Sequence, residues 1–194
     1  SDMNRTNSDR DNDKLDFFQR YMHERFDELE RDSRGTAWDF VGLSVALDYL
    51  ASLTQIKVRD PKNRKMRNQY GVEYFVIFIN EFFPKSYSEF TYGSGKKDLP
   101  EQMYRILRCG LAHAFSLYGD GSKKGRTGSI MIGHGVDNLK SAQKAPPRDD
   151  TVILNFIPFL NAVRFALNNL MRAARSDPAL SQRLLSRIQV RLPL

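Results

Sequence analysis

DLPEQMYRILRCGLAHAFSLY, residues 98–118, decides how this chain is read, because it carries the start, the stripe and the stop of a helix. Asp98 is placed to cap the first turn, Glu101 to return the reciprocal hydrogen bond, and Pro100 sits where no backbone donor is needed. Gly119 ends it. Met103, Leu107, Gly110, Leu111, Ala114 and Tyr118 recur at three- and four-residue steps, which predicts one apolar stripe facing a core. At about 100° per residue, Arg108 and His113 stand roughly 140° apart on the other side, with Arg105, Cys109, Ala112 and Ser116 between them. That face is shallow, and edged by a cation and an imidazole. It reads as a close helix contact, the seam of a homodimer, or a site in which Arg108 and His113 converge.

Moving outward, 194 residues with 41% hydrophobic content suit one domain with a substantial core. The net charge of +7 is unevenly spread: residues 1–32 hold ten acidic and six basic side chains, leaving 24 basic against 13 acidic in the rest. This body favours an anionic partner, RNA or another polyanion, before a membrane. A single cysteine excludes an internal disulfide and a cysteine zinc cluster. The expectation is no metal, no cofactor, no membrane span and a reducing cytoplasm.

Residues 1–13 read as a disordered tail and 14–194 as a single helical domain. Leu15, Phe18, Met22, Phe26 and Leu29 predict a first amphipathic helix, with His23 a surface side chain beside the stripe. Thr36 and Asp39 form a capping box ahead of an apolar helix in which Trp38 reads as core. Asp48 in that run is either an exposed aspartate on a narrow polar strip or a carboxylate paired with Arg105 or Arg108. Residues 57–67, KVRDPKNRKMR, read as a basic loop whose Lys62, Arg64, Lys65 and Arg67 could hold a phosphate backbone. Residues 70–83 predict a helix closed by Pro84, and YGSGKKD lacks the spacing of a phosphate loop. SIMIGHG and TVILNF are expected to pair as a small antiparallel hairpin near residues 129–156, with His134 a turn residue. Pro158 and the Asp177–Pro178 step open the last two helices. The whole predicts a mainly α protein, a bundle of about five to six helices with that small hairpin.

The string LRCGLAHAF, with Arg108 followed by His113 after four residues on a late helix, resembles the signature of the HEPN superfamily (higher eukaryote and prokaryote nucleotide-binding domains). Cys109 departs from it, standing where catalytic members usually have a polar residue, often asparagine. The resemblance implies a HEPN-like bundle and a metal-independent endoribonuclease, its site assembled across a two-fold dimer. There His113 would take the 2′-hydroxyl proton and Arg108 would hold the phosphoryl oxygens, with Arg105 adding affinity. The alternative is a non-catalytic helical module that dimerises and binds nucleic acid or nucleotide, Arg108 being spent on a carboxylate such as Asp48 or Glu101. Many such proteins pair with an antitoxin; no residue here speaks to that partner.

Overall fold

The computed structural model describes residues 7–34, 36–55, 64–92, 97–111, 129–137, 139–141 and 151–188, with the backbone alone at 7–8, 64–70, 92, 97, 109–111, 129 and 140–141. The protein is mainly α. In chain order come α1 (Asn7–Asp32), α2 (Ala37–Leu53), α3 (Arg64–Phe82), the single turn α4 (Lys85–Ser88), β1 (Thr91–Tyr92), β2 (Lys97–Asp98), α5 (Leu99–Gln102), a π-helical stretch (Met103–Leu111), β3 (Ser129–Gly133), β4 (Leu139–Ser141), β5 (Thr151–Asn155), α6 (Phe156–Ser176) and α7 (Pro178–Arg187).

The helix α1 starts seven residues ahead of the predicted point, so half of the stretch read as a tail is helical. Two causes are visible. Asp9 in the first turn suits the positive end of the helix dipole, and Asp11 and Asn12 line a cleft with Pro178, Ser181 and Leu185 of α7. Further along, α1 lies antiparallel to α6 and is tied to it by polar rungs. Arg175 bonds Asp16 and Gln19, and Arg164 bonds Asp27 and Glu30. Between them Asn168 Oδ1 accepts from Gln19 Nε2 and lies 2.8 Å from His23 Nε2, so that ring nitrogen carries the proton. His23 is therefore a structural tie between helices.

The Asp39 carboxylate accepts the Thr36 amide at 2.7 Å, the expected reciprocal bond at the start of α2. Phe40, Leu43, Leu47, Leu50 and Ala51 point inward from α2. Trp38 does not: it is 68% exposed, against the expectation of a core residue. Its position on the helix explains this, because seven residues is nearly two full turns and places it with Val45, on the side away from Phe40 and Leu47. At the other end of α2, Arg187 of α7 donates to the carbonyls of Ser52 and Leu53, a cation where the helix dipole is negative.

An aromatic cluster lies within the core. Phe159 of α6 stacks on Phe40 with ring centroids 6.2 Å apart and also meets Phe83 and Tyr87. Phe156 meets Phe40 edge-on and Phe78 meets Phe82 and Phe83, so α2, α3, α4 and α6 share one cluster. Burial pushes the Tyr87 phenol well above its ordinary pKa.

The helix α3 begins at Arg64, so the last residues of the predicted basic loop are its first turn. Pro61 lies outside the described residues. The helix over 70–83 is as predicted, and it ends at Phe82 before Pro84. The sheet differs from expectation in its pairing. The runs at 129–133 and 151–155 do lie side by side, but parallel, with Ile130 opposite Val152; β4 pairs antiparallel on the other side of β5. A third short strand, too polar to read as one from its sequence, thus supplies the antiparallel ladder.

Candidate functional site

Where the sequence predicted an α-helix over residues 98–118, α5 passes into a π-helical stretch that runs from Met103 to Leu111, the last residue described there. Asp98 occupies the N-cap, but the Glu101 side chain turns away from it to Arg105, accepting from Nε at 2.8 Å. The expected capping box is therefore absent. Burial on its inner side, then the neighbouring Glu101 carboxylate, raise the Asp98 pKa above its ordinary value, outweighing the Glu101 amide.

π winding bonds each amide to the carbonyl five residues back; it is rare, and frequently lies at functional sites. Here it separates two arginines that a tighter helix would hold closer together. Arg105 stays with Glu101, while Arg108 crosses to α2, where its Nε and Nη2 both lie 3.0 Å from Asp48 Oδ2. Of the two readings for Asp48, the paired carboxylate is the one found. The pair is neither buried nor free, with side-chain exposures of 30% for Arg108 and 31% for Asp48. Below it the Tyr104 ring sits 5.9 Å from the guanidinium carbon.

Tyr104 is held in turn by α3: it meets Phe75 edge-on, and a Cβ added at Gly71 would stand 2.2 Å from its hydroxyl oxygen. Sequence reasoning missed this support, though a glycine inside an apolar helix was its one visible signal. The contact also places the basic run. Arg64, Lys65 and Arg67 begin α3 about 6 to 10 Å along its axis from Gly71, at 1.5 Å per residue.

The structure thus brings together Arg108 and Asp48, sends Arg105 elsewhere, and gives only backbone positions for Cys109, Arg64, Lys65 and Arg67. His113, Ser116 and Lys62 lie outside the described residues, as does the face of Cys109, Ala112 and Ser116 read as a dimer seam. His134 is exposed in the connection from β3 to β4. That connection is more firmly built than its glycines suggested. The buried Asn155 amide accepts from Gly135 N–H at 2.9 Å and donates to the Asp137 carbonyl at 2.7 Å. A Cβ at Gly133 would meet the same amide at 2.6 Å, which is why both neighbours of His134 are glycine.

Among the described residues no group of three or more His, Cys, Asp or Glu side chains is arranged to hold a metal ion, and no helix is long and apolar enough to cross a membrane. Comparison with protein-family models, with curated proteins and with solved structures finds no match.

Proposed function

We propose that the protein is a metal-independent endoribonuclease of HEPN type, with Arg108 as the phosphate-binding cation and His113 as the base that takes the 2′-hydroxyl proton. The observation that supports this reading is the setting of Arg108: a part-exposed guanidinium, oriented by Asp48 and carried over Tyr104. A fixed planar fork is suited to the oxygens of a phosphodiester. RNA supplies its own nucleophile, so base, acid and phosphoryl stabilisation complete the chemistry, with a 2′,3′-cyclic phosphate as product.

A second reading is favoured by the same ion pair. Asp48 satisfies Arg108 without any ligand, which suits a non-catalytic helical module that binds nucleic acid through salt-dependent contacts. Cleavage of a labelled single-stranded RNA in excess chelator separates the two. Wild type is expected to cut, and His113→Ala and Arg108→Ala are each expected to lose at least a hundredfold in rate. Equal cutting by all three sinks the site. Binding without cutting, weakening steeply with salt, selects the module.

A further inference from the structure

The guanidinium of Arg108 is held from two directions by unlike means. Against its face lies the Tyr104 ring, with the guanidinium carbon 5.9 Å from the ring centroid, and Tyr104 is itself buried and fixed edge-on to Phe75. Along one edge, Nε and Nη2 both reach a single oxygen of Asp48, Oδ2, at 3.0 Å each. This is the edge from which two N–H groups of an arginine point side by side, the pair that the two free oxygens of a phosphodiester also match. A strand that takes Arg108 by this edge must displace a carboxylate.

We infer, taking Arg108 as the phosphate-binding cation proposed above, that Asp48 is an autoinhibitory latch: at rest its carboxylate stands in the place of the phosphodiester, and binding of a strand exchanges one anion for the other. The pair is built for exchange at the scale of side chains. Leu47 and Leu50 beside Asp48, and Ile106 and Leu107 beside Arg108, are at most 1% exposed, so both backbones are anchored in the core. The two charged side chains, at 30% and 31% exposure, reach water. Asp48 can therefore be taken up by solvent as it leaves, where a fully buried carboxylate would be stranded. Two bonds that meet on one oxygen also hold less firmly than the parallel pair that uses both. The Tyr104 ring needs no carboxylate to bear the cation, and keeps the guanidinium in place through the exchange.

Binding of a fluorescent 2′-O-methyl oligouridine, which has no 2′-hydroxyl nucleophile, reads the exchange apart from any cleavage. Kd is compared for the full-length wild type, Asp48→Asn, Arg108→Ala and the double variant. Asp48→Asn keeps the size of the side chain at a part-exposed position, and an unchanged far-UV spectrum checks that each variant is folded. Asp48→Asn is expected to bind more tightly than wild type. The loss caused by Arg108→Ala is expected to be about two- to fivefold larger in the Asp48→Asn background, the range set by an ion pair this exposed. An equal loss in both backgrounds means that Asp48 acts on the strand through its charge alone, and overturns the latch. A smaller loss overturns it too, because Asp48 is then a support that Arg108 needs in order to bind. If the loss grows as expected but wild type leaves an ordinary oligouridine uncut, the latch stands and the ribonuclease falls; cutting without that growth keeps the ribonuclease and sinks the latch.

Discussion

One methyl group decides how firmly Arg108 is held. At Gly71 a side chain would stand 2.2 Å from the Tyr104 hydroxyl oxygen and 3.0 Å from the ring carbon that bears it, so the ring must move, and Arg108 rides on that ring. Glycine to alanine within a helix ordinarily gains about 1 kcal/mol, while forcing an atom into a packed contact costs about 1–3 kcal/mol. Gly71→Ala is therefore expected to lower the urea midpoint by the equivalent of about 1 kcal/mol. In a Tyr104→Phe background, where the hydroxyl is gone, the loss should fall to less than half. An equal loss in both backgrounds would show that the clash is not what Gly71 avoids. The Arg108–Asp48 pair itself, about a third exposed, contributes at most about 1 kcal/mol, so its removal should be read in RNA affinity before stability.

At the scale of elements, the join between β2 and α5 is where pH enters. Asp98 has a raised carboxyl pKa from burial and from the Glu101 carboxylate, which together outweigh the hydrogen bond from the Glu101 amide. A carboxyl whose pKa rises on folding binds its proton more tightly in the folded state. Stability therefore falls as pH climbs through the window between the unfolded and folded values, and the penalty is complete above it. Asp98→Asn is expected to raise the Tm at pH 7, with the gain vanishing below the unfolded aspartate pKa of about 3.9. A gain that persists at pH 3 would assign the effect to something other than charge. This junction also marks how far the sequence could be read. Apolar spacing located α1, α6 and α7, because each buries a stripe that repeats with the helix turn, whereas α2 was read from its capping box and α3 from the length of its apolar run. It missed the π winding after Gln102, since a wider turn leaves the residue types unchanged and alters only which neighbours they meet. It offered Asp48 as a partner for Arg108 but could not choose, because the choice depends on how α2 crosses the π stretch. Trp38 was misread for the opposite reason: an all-apolar helix has no polar face to show which side is out.

For the whole molecule, stability concentrates where four helices meet on Phe159, which is fully buried against Phe40, Phe83 and Tyr87. Phe159→Ala should cost about 3–5 kcal/mol, a large share of the 5–15 kcal/mol that domains of this kind possess. Far- and near-ultraviolet circular dichroism should report the same shifted midpoint, because the cluster joins α2, α3, α4 and α6; separate midpoints would mean that these helices do not melt as one unit. The order of strands in the small sheet carries a different implication, for the time course of synthesis. β5 is the middle strand and the last of the three in the chain, so β3 and β4 have no hydrogen-bonding partner in the sheet until residues 151–155 have been made. On the ribosome, α1, α2 and α3 can begin to collapse early, while the sheet waits for β5, and α6, continuous with β5, follows at once to fill the aromatic cluster.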